Sequence, residues 1–530
     1  MALRNHWLAA LVLFVAMAVL HSWPLASNPS GLARLDNHDA ELNTWTIAWV
    51  AHALPTNPLR LFEAPIFHPE QHSLAFSEHM FVPSLLGAPL LWAGASPVLV
   101  YNLLIILGFA LSGFSMWWVM VRWTGSHWAA LVAGLAYAFN AHGLTRFVHL
   151  QALHVEFFPL VLYAFDRVLA ERRRQDVVLL AGAFVLQALC SNYLLVFTTY
   201  ALIACAIVRW NELRPIRPLL ISGLIVVLLL APFLWPYYQV DQEHGLARSV
   251  DVVTQYNAGW RDYLVTGGRL HYAWWSHTFY EGRTALFPGL TVSVLAMIAL
   301  VAGRGRGRAR VRMACATAVV GAAFSLGTAL PGYQALHDWL PLLSGLRNVA
   351  RWGWLVLAGA AILAGFGVAA LERQRRPVWT GVSFALCMLI TVEAIRTPVG
   401  YTPVRPIPAI YDRLVGQLVV VAEFPFYSGA SVSQNGPYVL ANTRYFRPLL
   451  NGYSGFHPES FMERGRALGA FPGERALAEL EDASVTHVLV HVNAFRSLSG
   501  DAALHAIDTA PSLEFITEED GIRLYRFRVP

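Results

Sequence analysis

The stretch that decides the fold is residues 218–238, PLLISGLIVVLLLAPFLWPYY, which contains no Asp, Glu, Lys or Arg. A helix of about 20 apolar residues is long enough to cross the hydrocarbon layer of a bilayer. Hydrophobic residues make up 56% of the 530 residues and charged residues only 13%. Because a soluble fold could not bury that much apolar surface, the sequence predicts an integral membrane protein.

The same apolar character recurs along the first three quarters of the chain. The further runs are 7–23, 97–120, 127–141, 157–170, 177–190, 193–208, 287–303, 313–330, 350–371 and 378–395. Together with 218–238 they predict a mainly α, polytopic membrane bundle of about eleven transmembrane helices. Several runs are shorter than the ~20 residues of an untilted span, so they require a thinned rim. The first run is either an uncleaved helix or a signal peptide ending near Pro24.

Arginines indicate the orientation of these helices. The chain has no lysine, and its arginines concentrate in alternate turns. These turns contain Arg122, Arg172–Arg174, Arg209/Arg214/Arg217, Arg304–Arg312 and Arg373/Arg375/Arg376. Because positive residues favour the cytoplasmic side, we expect the N-terminus inside and the C-terminus outside.

The polar segments suggest two domains. We predict a membrane domain over 1–396, with large external loops at 24–96 and 239–286, and an extracytoplasmic α/β domain over 397–530. Within the first loop, 42–54 is expected to lie in the membrane interface, and 81–94, broken by prolines, to be re-entrant. The C-terminal domain alternates strand-like runs with a helical stretch. The runs are Leu418–Phe426, Thr486–Val492, Leu513–Ile516 and Ile522–Val529, and the helix lies near Phe461–Leu480.

Several functional classes have no support in the sequence. The four cysteines all fall in apolar runs without metal-site or secreted-type spacing, so disulfides and zinc sites are not expected. No glycine-rich phosphate loop precedes a helix, and the net charge of +5 is too modest to suggest a nucleic-acid partner.

Three carboxylates crowd the first external loop, Asp36, Asp39 and Glu41. Crowded carboxylates repel, which can raise one pKa and suit that group to general acid/base work. Asp39 could equally serve as the N-cap of a helix beginning near Glu41. The spacing alone leaves both interpretations open.

The order of short motifs resembles the GT-C glycosyltransferase superfamily, including its YfhO-like branch, over nearly the whole chain. The matching segments are Asp36-x-x-Asp39-x-x-Leu42-Asn43-Thr44-Trp45, Ile66-Phe67-His68-Pro69, Ser77-Glu78, Tyr101-Asn102-Leu103, His149-Leu150-Gln151, Leu286-Phe287-Pro288-Gly289, Arg347-Asn348-Val349-Ala350-Arg351 and Asn451-Gly452-Tyr453-Ser454-Gly455.

The resemblance implies transfer of a sugar from a polyprenyl-phosphate carrier to a glycan, lipid or protein acceptor outside a bacterial inner membrane. It assigns a first-loop carboxylate, Asp39 in preference to Asp36, as general base. A departing phosphate requires cations or N–H donors. The implied substrate-binding residues are Arg347, Arg351, Arg248, Glu78, His149 and Glu156, with Arg146 as a further cation. Glu156 matches by position only, and a divalent metal is possible but not implied by spacing.

Two alternatives remain beside the transferase. One is a flippase or transporter of a lipid-linked saccharide, and the other is a non-catalytic membrane protein of cell-envelope glycan assembly. The third loop places Trp260, Tyr263 and Trp274 beside acidic and basic residues, which suits sugar binding and an aromatic membrane belt equally.

Overall fold

The computed structural model describes residues 3–34, 38–246, 248–302, 305–340, 342–373 and 378–528, with the side chains of 3–5 and 305–306 left aside. Asp36 lies outside these residues. The α-helices, in chain order, are α1 (Leu3–His21), α2 (Asp39–Thr56), α3 (Phe81–Trp92), α4 (Pro97–Thr124), α5 (His127–Ala138), α6 (Ala141–Leu144), α7 (Phe157–Ala170), α8 (Arg174–Ala188), α9 (Asn192–Val208), α10 (Arg217–His244), α11 (Val250–Thr254), α12 (Arg269–Trp274), α13 (Leu290–Ala302), α14 (Gly305–Ser325), α15 (Tyr333–Trp339), α16 (Trp354–Glu372), α17 (Val378–Ala394), α18 (Gly436–Ala441), α19 (Glu459–Leu468), α20 (Glu474–Asp482) and α21 (Val492–Thr509).

Each predicted apolar run coincides with a helix. Within the described residues, three helical stretches are long and apolar enough to cross a membrane: Pro97–Thr124, Arg217–His244 and Val349–Glu372. Only 11% of the most apolar window of Arg217–His244 is buried, against 72% for Val349–Glu372. The former therefore exposes its leucine-rich surface, as a lipid-facing helix does, whereas the latter is a central helix. Shorter apolar stretches of 10–17 residues include Asn192–Val208 and Val378–Ala394.

The central helix, α16, packs against α5, α13 and α14. Its glycines allow backbones to approach closely. A Cβ at Gly367 would lie 2.1 Å from the carbonyl oxygen of Leu295 on α13, and one at Gly359 would lie 2.6 Å from that of Ala314 on α14. Small residues at such crossings let membrane helices gain van der Waals contact that larger side chains would prevent.

The strands form two small sheets. They are β1 (Leu32–Ala33), β2 (Thr402–Pro403), β3 (Val421–Phe424), β4 (His487–His491), β5 (Leu513–Glu519) and β6 (Ile522–Phe527). Strands β1 and β2 pair antiparallel, and the larger sheet has the order β3-β4-β6-β5. Its β3 and β4 are parallel, and the remaining pairs are antiparallel. The four predicted strand runs and the α/β character are confirmed.

The C-terminal helical stretch differs from the prediction of one helix near Phe461–Leu480. It forms two helices, α19 and α20, because the sequence Phe471-Pro472-Gly473 lies between them. Proline lacks the N–H that a continuing helix requires, so the first helix ends before it.

The described chain divides into two compact units. Unit 1 comprises Met1–Asn28, Leu103–Pro232 and Ala247–Gly400, and unit 2 comprises Pro29–Asn102, Phe233–Leu246 and Tyr401–Pro530. The predicted boundary at 397 lies close to the change at Tyr401. The prediction differs for residues 29–96 of the first loop, which belong to the same unit as the C-terminal α/β fold.

The prediction of an interfacial helix in that loop was wrong. Helix α2 does not lie exposed for a membrane surface, because Trp45 and Val50 are buried in the core of unit 2. The indole N–H of Trp45 donates to Asn442 Oδ1 at 3.2 Å. The prolines of 81–94 do not interrupt α3, which runs continuously through Pro83 and Pro89, and the re-entrant position of this segment stays a prediction.

Candidate functional site

The first candidate site is a cluster of arginines and histidines in unit 1. Its side chains come from the segment after α6, the segment after α10, and the segment leading into α16. Two backbone hydrogen bonds join these loops. Arg248 N donates to Ser344 O at 2.8 Å, and Ala350 N donates to Tyr256 O at 3.0 Å. The loops that carry Arg248, Arg347 and Arg351 are therefore held together.

Aromatic rings support the two arginines nearest α16. The Arg351 guanidinium carbon lies 4.8 Å from the ring centroid of Tyr193, and that of Arg347 lies 5.5 Å from the ring centroid of Tyr256. The Tyr193 hydroxyl also accepts a hydrogen bond from Asn348 N at 3.1 Å. A ring face positions a guanidinium while leaving its N–H edge available for an anion.

The cluster carries an excess of positive charge. Among the described residues, neither Arg347 nor Arg351 forms an ion pair with a carboxylate. Burial, and then Arg351 and Arg146, hold the pKa of His149 well below its ordinary value of 6.5. Burial and the same two arginines hold the pKa of His142 equally low, and burial followed by Arg347 lowers the pKa of Arg248. The pKa directions favour neutral histidines, first because burial disfavours the charged imidazolium and then because protonation would add charge to a site already cationic.

Three polar groups in the cluster are buried without a hydrogen-bond partner in the described part of the chain. They are Arg351 Nε, Asn348 Oδ1 and both ring nitrogens of His142. An unsatisfied buried polar group costs about 1–3 kcal/mol. A ligand that accepts hydrogen bonds and carries negative charge would satisfy the donors among them.

The second candidate site lies in unit 2, at the start of α2. Asp39 is the first residue of the helix, and His38, in a left-handed conformation (φ 61°), occupies the N-cap position. The N-cap alternative for Asp39 is therefore wrong. Instead, Asp39 Oδ1 accepts a hydrogen bond from the Tyr453 hydroxyl at 2.5 Å. Asp39 is half-buried, so its carboxylate is held in place while part of its surface stays accessible.

A second carboxylate accompanies Asp39. Glu41 Oε1 lies 3.3 Å from His38 Nδ1, and this hydrogen bond is the largest of the effects that raise the pKa of His38. Glu41 is buried, and its Oε2 has no hydrogen-bond partner among the described residues. The carboxylates predicted to crowd this loop therefore lie beside a histidine, His38, whose protonated form would balance the negative charge of Glu41.

The motif around Tyr453, Asn451–Gly455, is joined to the first loop by backbone hydrogen bonds. Phe67 N donates to Asn451 O at 3.1 Å, and the Asn451 side chain bonds to the backbone of Glu423 in β3. A Cβ at Gly452 would lie 2.4 Å from the Phe67 ring, so only glycine fits there. Two motifs about 380 residues apart in sequence are thereby packed together.

The remaining predicted substrate-binding residues fall in different surroundings. Glu78 is half-buried in unit 2, next to Ser77, whose carbonyl accepts from the Tyr237 hydroxyl at 2.7 Å. Glu156 lies buried in unit 1, where its Oε1 pairs with His154 Nδ1 at 2.9 Å. This pair braces the start of α7, and His154 Nε2 contacts Leu104 O at 3.1 Å.

Sequence reasoning missed the tyrosines of both sites and the involvement of His142. Tyr453 lay inside a quoted motif, but nothing in the motif indicated that its hydroxyl bonds to a residue of the first loop. Among the described residues, no group of three or more His, Cys, Asp or Glu side chains could hold a metal ion.

The bundle of unit 1 and the mixed sheet of unit 2 together define a polytopic helical membrane protein with an α/β domain. The structure is similar to oligosaccharyltransferase AglB from Archaeoglobus fulgidus, solved with an inhibitory peptide and a dolichol-phosphate. The TM-score is 0.47 and the identity 13%, over 99% of this chain and 75% of that one. It is also similar to ArnT from Cupriavidus metallidurans, solved with undecaprenyl phosphate, with a TM-score of 0.49 and 13% identity over 97% of both chains. No protein-family model matches the sequence, and no curated protein does.

Proposed function

We propose that this protein is a membrane glycosyltransferase that moves a sugar from a polyprenyl-phosphate carrier to an acceptor hydroxyl or amine. The observation that carries the proposal is the arginine cluster, which presents Arg347 and Arg351 without carboxylate partners among the described residues. Phosphate oxygens match the planar N–H fork of a guanidinium group, which can bind them through two parallel hydrogen bonds.

The reaction divides between two groups of residues. Asp39 takes the proton of the acceptor, and the acceptor oxygen or nitrogen forms a bond to the anomeric carbon. The bond from that carbon to the phosphate oxygen breaks, and the polyprenyl phosphate leaves with its electron pair. Arg347, Arg351 and Arg248 stabilise the charge that develops on this leaving group.

The other residues near the two sites are proposed to orient the reacting groups or to hold the loops in place. Tyr453 orients Asp39 through its 2.5 Å hydrogen bond, which keeps one carboxylate oxygen occupied. His149, which is neutral, offers a ring nitrogen for a hydrogen bond and adds no further positive charge to the cluster. Glu156, paired with His154, positions the second loop and takes no part in proton transfer.

Binding of undecaprenyl phosphate to the purified protein tests the cationic part. We expect Arg351→Gln and Arg347→Gln each to weaken binding about 10- to 100-fold, because each removes a charge-assisted hydrogen bond. Arg466→Gln is the matched control, since Arg466 is exposed and pairs with the exposed Glu459. Equal affinity of all three variants and the wild type would overturn the assignment.

Sugar transfer separates the enzyme from a flippase. Asp39→Asn should stop transfer while lipid binding remains. If this variant still transfers sugar at the wild-type rate, Asp39 is not the base.

A further inference from the structure

Two consecutive residues, Asn435 and Gly436, lie where α18 begins and contact the segments that carry Tyr453 and Asp39. All four residues belong to unit 2. Asn435 is 0% exposed, and Gly436 is buried beside it. Neither residue belongs to the motifs that predict a function, and neither takes part in the proposed transfer chemistry.

Asn435 holds the segment that directly precedes Tyr453. Its Nδ2 donates to Gly452 O at 3.0 Å and to Tyr427 O at 2.8 Å, and its Oδ1 accepts from Asn451 Nδ2 at 3.2 Å. The amide carries two N–H groups, one for each of these carbonyl oxygens. Because a buried polar group that loses its partner destabilises the fold, the backbone before Tyr453 resists rotation away from Asn435.

Gly436 holds the segment that directly precedes Asp39. A Cβ at position 436 would lie 2.8 Å from His38 Cβ, so the backbone at the start of α18 contacts the N-cap residue of α2. The φ of Gly436 is an ordinary −50°, and glycine is therefore required here for space rather than for conformation. His38 itself is left-handed, a conformation that a residue with a Cβ keeps only where its surroundings hold it.

A second contact joins the other end of α18 to the same helix. Asn442, the residue that follows α18, accepts from the indole N–H of Trp45 at 3.2 Å and is fully buried. Helix α18 is therefore attached to α2 at both of its ends. The start of α18 has a fixed position relative to the start of α2.

We propose that Asn435 and Gly436 are positioning residues that align the Tyr453 hydroxyl with the Asp39 carboxylate. These two groups are 414 residues apart in sequence, and the hydrogen bond between them is 2.5 Å long. A charge-assisted bond this short requires both groups to be held within about 0.5 Å. A single dipeptide that contacts the residue before each of them supplies this placement. The inference rests on the proposed function, because it concerns the orientation of the proposed base.

A purely structural part for Asn435 makes a different prediction. If Asn435 acts by directing the Tyr453 hydroxyl, replacing it has no effect on sugar transfer once that hydroxyl is removed. If Asn435 only stabilises the core, its replacement causes the same loss with and without the hydroxyl. A double-mutant cycle separates these two cases.

Pulse labelling of surface glycan with radiolabelled glucose measures transfer, with full-length variants at equal protein level in cells lacking the native gene. We expect Asn435→Ala and Tyr453→Phe each to lower labelling about tenfold, because each removes or misaligns a hydrogen bond to a charged group. The double variant should label within about twofold of Tyr453→Phe alone. Thr486→Ala is the matched control. It removes two hydrogen bonds to the backbone of Val420 in the same unit, so any loss should be equal in both backgrounds.

Gly436→Ala keeps all three hydrogen bonds of Asn435 and decides the question if Asn435→Ala fails to fold. We expect about tenfold lower labelling, because the new Cβ displaces His38 and with it Asp39, and a misplacement of about 1 Å can cost ~10²-fold in rate. In a His38→Gly background, Gly436→Ala should cause no further loss, because the atom that it meets is gone. Gly469→Ala, whose Cβ would lie 3.5 Å from its nearest neighbour, is the matched control.

Wild-type labelling by Asn435→Ala or Gly436→Ala would refute the inference. So would an equal loss for Asn435→Ala with and without the Tyr453 hydroxyl, or weaker binding of undecaprenyl phosphate, which is assigned to the arginines of unit 1. Failure of the proposed function gives a different result, since Asp39→Asn would then label as the wild type does. Loss by Asp39→Asn and Tyr453→Phe, without loss by Asn435→Ala or Gly436→Ala, would keep the base and remove only the positioning.

Discussion

Replacing Asp39 by Asn should remove most of the sugar transfer and leave the fold intact. Loss of a general base slows a reaction about 10²- to 10⁴-fold, which corresponds to about 2.7–5.4 kcal/mol of barrier. The stability cost is smaller. Asn retains the oxygen that accepts from Tyr453 at 2.5 Å. What is lost is a negative charge at the start of α2, worth about 0.3–1 kcal/mol, and part of one charge-assisted bond.

Pulse labelling of surface glycan measures the effect, in cells lacking the native gene and complemented with each variant at equal protein level. Tyr453→Phe is the informative companion, because it keeps the carboxylate and removes only its orienting donor. We expect a loss for Tyr453→Phe well below that for Asp39→Asn. Asp412→Asn, which changes an exposed carboxylate paired with Arg444, should label normally. Wild-type labelling by Asp39→Asn would refute the general-base assignment.

Three further results follow from the contacts. Arg351→Lys should bind undecaprenyl phosphate better than Arg351→Gln but about tenfold worse than the wild type, because lysine keeps the charge and loses the planar fork; equal binding by both variants would contradict this. Gly367→Ala should lower the thermal midpoint, since its Cβ would lie 2.1 Å from a carbonyl oxygen of α13 and overpacking costs about 1–3 kcal/mol, whereas Gly182→Ala should not. The pKa of His38 is raised above 6.5, chiefly by its hydrogen bond to Glu41. The stabilisation is therefore complete below pH 6.5 and lost as the pH rises through the folded pKa; thermal unfolding from pH 5 to 9 should show this loss in the wild type and not in His38→Gln.

The bundle could be predicted because the bilayer imposes a simple requirement. A membrane span must be apolar over its whole length. The apolar run 157–170 therefore predicts a helix, and both of its ends match those of α7. The strands of the C-terminal domain could also be predicted, because runs of β-branched residues bounded by turns indicate strands. These features depend on local sequence, and the structure follows them.

The first loop could not be predicted in the same way. An amphipathic helix with tryptophans suits a membrane interface and a protein core equally well, and the pattern does not say what covers it. For α2 the cover comes from residues about 400 positions later, including Asn442, which bonds to Trp45 at 3.2 Å. Contacts at such separation depend on the tertiary fold and leave no periodic trace in the sequence.

The candidate sites divide along the same line. The matching motifs predict roles for Arg347, Arg351 and Asp39, and these roles stay predictions. Glu156, which matches by position only, pairs with His154 at 2.9 Å, and its substrate-binding role stays a prediction.

The arginine cluster is hard to explain as a device for stability. Arg146 and Arg351 bring positive charge toward two buried histidines, and burial keeps both rings neutral. Like charges held together at partly buried positions repel, and the buried Nε of Arg351 has no partner in the described residues. A single carboxylate placed among these groups would relieve the repulsion. In the described chain, no carboxylate pairs with Arg351. An anionic ligand requires this arrangement, because a carboxylate of the protein would compete with the ligand for the same N–H groups.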